Sequence, residues 1–239
     1  MLKIKITPPA KSVEYKYLDV VHDAVVQAFL KTGVEESKII GHKSEPWNFA
    51  VESYSKKENG EFINVVKSLF ISTPSSELSK FLSGISLSNL NYTRSLTGDT
   101  VNFINSGIEI VQDPILPNQH TLSVNCISPL AIRKQDKKNR SWYSEFGDLD
   151  IIAAINKRLS RLADRDISLL VSVDSLFLRS NEKYSVYIPI KKNSNGNVTF
   201  VIGMKAPLVL QGSEEDLRFA WYAGIGEKTR MGFGGLSEY

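Results

Sequence analysis

A strand–helix–strand–strand–helix–strand order that occurs twice along the 239 residues predicts an α+β protein of two tandem ferredoxin-like (RRM-like) βαββαβ domains. Three observations carry this. Apolar residues switch between period two and helical spacing in that order. Turn residues interrupt the series once near its middle, and a glycine-rich stretch closes its second half. The expected domains are residues 1–115 and 118–239. No sequence identity links the halves, so the repeat is one of element order alone.

Leu2, Ile4 and Ile6 alternate with Lys3, Lys5 and Thr7, the pattern of a half-buried strand. Leu18, Val21, Val25, Ala28 and Phe29 then recur at helical spacing and predict a helix over residues 16–31. Residues 49–54 and 62–72 read as strands joined across the turn-forming KKENG. Thr73-Pro74 predicts a helix start, with Leu78, Phe81 and Leu82 inward and Gly84 as its end. A strand over 101–111 completes the first series, and Asp113-Pro114 with Leu116-Pro117-Asn118 read as a linker.

The second series begins with a strand over 121–130 and a helix over 148–163 that turns Leu149, Ile152, Ile155, Leu159 and Leu162 inward. Strands over 168–177, 184–190 and 198–210 follow, the last two flanking SNGN. Ser213 with Asp216 three residues on is a helix-start signature, and Leu217, Ala220 and Trp221 form that helix's apolar face.

A hydrophobic fraction of 42% with 23% charged residues describes a globular chain, and no apolar run approaches the roughly 18 residues of a membrane span. MLKIKITPPA lacks the continuous apolar core of a signal peptide, and the single Cys126 has no internal disulfide partner. Both point to a cytoplasmic protein. The net charge of +3 says little, but its distribution says more. Arg133, Lys134, Lys137, Lys138 and Arg140, followed by Trp142 and Tyr143, pair cations with aromatics that can stack on unpaired bases. Lys157, Arg158, Arg161 and Arg165 add a second basic group, in which 158, 161 and 165 share a helix face and suit a phosphodiester backbone.

GIGEKTRMGFGG, residues 224–235, is neither a Walker loop nor a dinucleotide fingerprint. Glu227 separates Gly226 from Lys228, and Thr229 stands where the third glycine would be. What remains is either a helix cap followed by turns, or backbone made to meet an anion with Lys228 and Arg230 adding charge. Three scattered histidines (His22, His42 and His120) and one cysteine offer no metal-ligand spacing, and no G-x-S-x-G elbow is present.

The glycine stretch, with Ser128-Pro129-Leu130 and the short helix from Ser213, resembles the glycine-rich loop of the RAMP superfamily. In particular it resembles the CRISPR-associated endoribonucleases that cut precursor RNA within its repeats. The match is closest over about the last 40 residues. The resemblance implies RNA contacts at Gly224, Gly226, Lys228, Arg230, Gly232 and Gly234, supported by Arg133, Lys134, Lys157, Arg158 and Arg161. It implies a metal-free, cofactor-free reaction in which the RNA 2′-hydroxyl attacks the neighbouring phosphate. The products are crRNA with a 2′,3′-cyclic phosphate and a 5′-hydroxyl. His42, between the first helix and the Trp47-Phe49-Val51 strand, occupies the region of the family's catalytic histidine, with Lys43 beside it for the phosphate. His22 on the first helix and Tyr17 are the alternatives. No tyrosine stands shortly before His42, and Asn48 occupies a position where the family pattern has lysine. Implied partners are repeat RNA and other effector-complex Cas proteins, with room for a homodimer. The superfamily also holds non-catalytic members that bind crRNA.

Overall fold

The structure, a computed structural model, describes residues 1–41, 44–134, 141–147 and 149–239. The first series builds a sheet from β1 (Leu2–Thr7), β2 (Glu14–Tyr15), β3 (Asn48–Glu58) and β4 (Glu61–Thr73). After the short strands β5 (Asn91–Thr93) and β6 (Thr100–Asn102), β7 (Gly107–Ile110) completes it. Ladders join β7 to β1, β1 to β4 and β4 to β3, all antiparallel, while β2 extends the β1 edge of β4. This fourth–first–third–second order is that of the ferredoxin-like fold.

The second series repeats it. β13 (Leu236–Glu238), β8 (Thr121–Cys126), β12 (Leu208–Gln211) and β9 (Leu170–Val173) lie in that spatial order, again all antiparallel. Between β9 and β12 the chain inserts a short helix and the β10 (Ser185–Lys192)–β11 (Val198–Met204) hairpin.

Helices cover one face of each sheet. α1 (Asp19–Leu30) and α3 (Ser76–Ser83) pack on the first, where Ile4, Ile6, Val21, Val25, Phe29, Phe49, Leu69, Ile71, Leu78 and Leu82 form the core. Between α1 and β3 lies the single turn α2 (Glu36–Ile39). α4 (Ile151–Ala163) and α6 (Glu214–Ala223) cover the second sheet over Leu122, Val124, Ile155, Leu159, Leu208, Leu210, Leu217 and Ala220. Short polar side chains start three of these helices, each accepting an orphan first-turn amide. Ser75 accepts from Leu78, Asp150 from Ala153 and Ser213 from Asp216.

Several boundaries differ from the sequence expectation, each for a local reason. α1 begins at Asp19, and the amide of Leu18, which has no acceptor within the helix, donates to the Pro189 carbonyl of the inserted hairpin. Thr73 ends β4 instead of capping α3; its hydroxyl donates to the Pro46 carbonyl, and Ser75 is the cap. The 101–111 strand divides into β6, which pairs only with β5, and β7. The 168–177 strand ends where Asp174 caps α5 (Ser175–Ser180). The 198–210 strand is two strands in different sheets, β11 and β12. β8 stops at Cys126, ahead of Ser128-Pro129. On α4, Ile152 faces outward and only Ile155 and Leu159 are fully buried.

Polar side chains on the open face of the first sheet hold the second half against it. Ser72 donates to the Tyr222 carbonyl at 2.8 Å, and Asn48 donates to Thr229 and Phe233 carbonyls at 3.1 and 2.9 Å. The Lys3 ammonium, fully buried, donates to the Leu236 carbonyl and lies 3.7 Å from the centre of the Trp221 ring.

Candidate nucleic-acid interface

The glycine stretch runs from the end of α6 to β13 and packs between the two halves. Gly224, Gly226, Gly232, Gly234 and Gly235 are all buried. Their small size meets a packing demand. A Cβ on Gly234 would stand 1.8 Å from the Ile225 carbonyl oxygen, and one on Gly226 would stand 2.4 Å from Leu130 Cδ1 and 2.9 Å from the Ala131 carbonyl oxygen. Both residues also have φ near +70°, at +66° and +77°. Phe233, between two of the glycines, is fully buried in the first core and fixes the loop to that half. Loop amides are used internally. Glu227 donates to Ala131, Gly234 to Pro129 and Gly235 to the Ser128 hydroxyl. The loop therefore presents side chains, Lys228 above all, while its glycines face protein.

Beside it opens a cleft of about 250 Å³ lined by Ile132, Arg133, Lys134, Ala154, Lys157, Arg158, Arg161, Gly226 and Glu227. The five cations to which the resemblance assigns supporting RNA contacts, Arg133, Lys134, Lys157, Arg158 and Arg161, meet here. The spacing of 157, 158 and 161 on α4 explains three of them. Arg133 and Lys134 arrive on the strand-like segment that bridges Trp142, and their charges lie 5.0 Å over Trp142 and 5.4 Å over Tyr143. Among the described residues Glu227 is the one carboxylate in the lining, and its contact with Arg133 Nε is a long 3.9 Å. The Nε atoms of Arg133 and Arg158 are buried and have no hydrogen-bond partner among the described residues. Burial, then the charges of Arg161 and Arg230, lower the Arg158 pKa to about 10 against the opposing pull of Glu227. Among the described residues the guanidinium cluster is thus desolvated and undercompensated in charge, an arrangement that favours anionic oxygens.

Arg165 does not join this cleft. α4 ends at Ala163, and Asp164 turns the chain at φ 53°, so Arg165 pairs with Glu215 at 3.1 Å and Asp216 at 2.5 Å. Lys137, Lys138 and Arg140 lie outside the described residues.

Arg230 faces the other way. Its guanidinium donates to the carbonyls of Ile39 at 3.3 Å and Gly41 at 3.1 Å and to the Ser44 hydroxyl. Burial lowers its pKa. His42 and Lys43 lie outside the described residues, but the residues on either side of them are those that Arg230 holds.

A second cleft, of about 480 Å³, adjoins the loop and is lined by His22, Asp19, Asp23, Arg94, Arg133, Trp142, Lys228 and Met231, with part of the inserted hairpin. His22 packs on Trp47 and Phe49, each at 6.3 Å between ring centres, and its Nδ1 is 2.9 Å from Asp23 Oδ1. Tyr17 is not in this cleft; it lines a separate depression with Lys16, Glu61 and Lys192. His120 lies on the second sheet's margin, its Nδ1 3.2 Å from the Gly212 carbonyl oxygen. Sequence reasoning missed Asn48 as a latch, Lys3 as a buried cation, and the Asp19–Arg94–Asp23 group. Only long-range pairing makes these visible.

Comparisons with known proteins agree with this architecture. The chain resembles a structure from Pyrococcus furiosus described as a Cas6-related gene, with 15% identity and a TM-score of 0.71 over all of this chain and 98% of that one. It resembles a RAMP protein described as binding different RNA substrates, with 15% identity and a TM-score of 0.68 over all of both chains. A Cas6 product complex gives 13% identity and 0.56, again over all of both chains. No curated protein sequence matches the chain. The family description "CRISPR associated protein Cas6, C-terminal" matches residues 112–237, more than half of the sequence, and the chain belongs to the Cas6 family.

Proposed function

We propose that this Cas6-family chain is a metal-independent endoribonuclease that cuts CRISPR repeat RNA to generate crRNA. The observation that carries the RNA-binding part is the convergence of Arg133, Lys134, Lys157, Arg158 and Arg161 on one cleft beside Gly226. In the reaction the 2′-hydroxyl loses its proton, O2′ bonds to phosphorus and the P–O5′ bond breaks. The 5′-oxygen takes up a proton, leaving a 2′,3′-cyclic phosphate and a 5′-hydroxyl. His42 transfers a proton, as a histidine can in either direction near neutral pH, and Lys43 with Lys228 offsets charge on the phosphorane. The two functional halves are residues 1–115, with His42, and 118–239, with the glycine loop. The protein works in the cytoplasm beside other effector-complex Cas proteins.

The test is incubation with RNA transcribed from the repeat of the host's own array, in EDTA, with and without a 2′-deoxy substitution at the cut site. Cleavage in EDTA that the 2′-deoxy change abolishes, and that His42→Ala lowers by about 10²-fold or more, is expected. A metal requirement, or cleavage of the 2′-deoxy substrate, overturns the mechanism. A second reading is a non-catalytic RAMP subunit that binds crRNA, and the resemblance to a RAMP protein described as binding RNA favours it. Tight binding of the intact repeat without cleavage decides for that reading.

A further inference from the structure

We infer that Glu227 sets base specificity: its carboxylate, flanked by the Arg133 guanidinium, accepts from the Watson–Crick edge of one unpaired guanine in the bound RNA. This deepens the RNA-binding reading of the basic cleft and rests on it. Two short bridges bring the pair together. Ala131 pairs with Glu227 and Arg133 with Trp142, both antiparallel, and the Glu227 amide donates to the Ala131 carbonyl at 2.8 Å. Residues 131 and 133 are two apart on a strand-like segment, so Glu227, Arg133 and Trp142 share one of its faces. Arg133 is set by Trp142, with its charge 5.0 Å from the ring centre. Its Nε stands 3.9 Å from Glu227 Oε2, too far for a hydrogen bond, and both side chains are 37% exposed, which leaves their ends open to a ligand.

A carboxylate among five cations works against phosphate, and it gains only where the ligand brings donors. Guanine alone among the four bases presents two adjacent donors, N1–H and the N2 amino group, with the acceptor O6 beside them. Two carboxylate oxygens and a guanidinium N–H are the complementary set, and the bonds to the carboxylate are charge-assisted. Uracil has a single N–H between two carbonyls. Adenine and cytosine each place an acceptor nitrogen next to the amino group, so a carboxylate meets a lone pair on either. Lys157, Arg158 and Arg161, carried by α4, remain for the phosphate. The cleft of about 250 Å³ is smaller than a site for a drug-sized ligand, roughly 300–1,000 Å³, and suits one nucleotide.

The test measures binding of the full chain to short oligouridylates whose central residue is guanosine, inosine, 7-deazaguanosine, adenosine or uridine, beside the host repeat RNA. Inosine lacks the N2 amino group, whereas 7-deazaguanosine keeps the Watson–Crick edge and lacks N7. Guanosine and 7-deazaguanosine probes are expected to bind alike, and about tenfold tighter than the inosine and adenosine probes. This comparison uses the wild type alone, so it does not depend on any variant folding. Glu227→Gln is expected to bring guanosine and inosine within about twofold of each other. It should also bind the all-uridine probe about two- to fivefold tighter, because a negative charge has left a cationic cleft. A wild type that binds the repeat but holds guanosine and inosine probes equally, or binds none of the probes, overturns this inference and leaves the RNA-binding reading standing. So does a guanosine preference that survives in Glu227→Gln, or one lost with 7-deazaguanosine, which puts the contact at N7. A wild type that binds neither the probes nor the repeat overturns both.

Discussion

Arg230 donates to the Gly41 carbonyl at 3.1 Å, joining two residues 189 positions apart in the chain. The same guanidinium reaches Ile39 and Ser44, so one cation from the glycine loop of the second half organises the turn that leaves α2 in the first. Ile39 also accepts from the Trp47 indole at 3.0 Å, which ties this turn to the start of β3. Replacing Arg230 by alanine removes charge-assisted bonds worth about 1.5–3 kcal/mol each in favourable cases and less where water can substitute. Urea unfolding is expected to give a loss of about 1–3 kcal/mol, with faster amide exchange in the 36–41 segment. Arg230→Lys keeps the charge but not the fork, and should recover less than half of that loss. Full recovery by lysine would show that charge alone is needed.

The cleft cations and Arg165 belong to the same stretch of chain but predict opposite behaviour. Arg158 lies among like charges in the free protein, so Arg158→Ala should leave stability unchanged or slightly raised. Its loss should appear instead in RNA binding, lowering the slope of log K against log salt by about 0.7–0.9. Arg165 pairs with Asp216 and Glu215, and Asp216 also accepts from the Ser168 amide at 3.4 Å. Arg165→Ala should cost about 1–2 kcal/mol in urea unfolding and leave the salt slope unchanged. Equal effects of the two substitutions on the salt slope would remove the distinction.

Glycines of the closing stretch should be far less replaceable than turn glycines elsewhere. At Gly196, φ is +84° but nothing lies within 4 Å of an added Cβ, so Gly196→Ala should cost about 1 kcal/mol from backbone conformation alone. At Gly234 the added atom meets the Ile225 carbonyl, and at Gly226 it meets Leu130 and the Ala131 carbonyl. Either alanine forces the loop out of its seat between the halves and should cost more than about 3 kcal/mol. Chemical denaturation of the three variants checks the order. A mild Gly234→Ala would mean that the loop is not a rigid joint between the halves.

Much of the fold was legible because the two periodicities are strong. β1, α1 and the α4 stripe follow from Leu2, Ile4, Ile6, Val21, Val25, Ile155 and Leu159 alone, and the repeated element order gave the sheet topology. The inserted hairpin was legible as two strands flanking SNGN, but not as an insertion outside the second sheet. Residues 198–210 read as one apolar strand, and only Lys205 and Pro207 mark the change of sheet. For the candidate site, Lys157, Arg158 and Arg161 lie together because α4 fixes their geometry locally, whereas Arg165, read on the same face, falls past the helix end at Ala163. For the glycines, composition left a helix cap with turns and an anion-facing backbone both open, because the packing constraint comes from Leu130, Asn48 and Phe49, distant in sequence. Asp23 and Arg94 were missed for the same reason, as a hydrogen-bonded chain between a helix and an inserted hairpin leaves no periodic trace.

Lys3 makes the contact between the halves sensitive to pH. Burial lowers its pKa from the ordinary 10.5 to about 7, while the Trp221 face and the Leu236 carbonyl supply partners for the charge. Between about pH 7 and 10.5 the unfolded chain therefore binds more protons at this group than the folded chain does. Stability rises with pH wherever that holds, at up to about 1.4 kcal/mol per pH unit for one group. Below about pH 7 both states carry the proton, and the group's pH dependence vanishes. Lys3→Met fills similar space without a charge and should abolish this rise. The measurement is urea unfolding of both proteins from pH 6.5 to 9.5 at about half-unit steps, with the difference between them plotted against pH. A difference that stays flat across the range would show that the ammonium keeps its proton in the folded state, held by the Trp221 ring against the cost of burial.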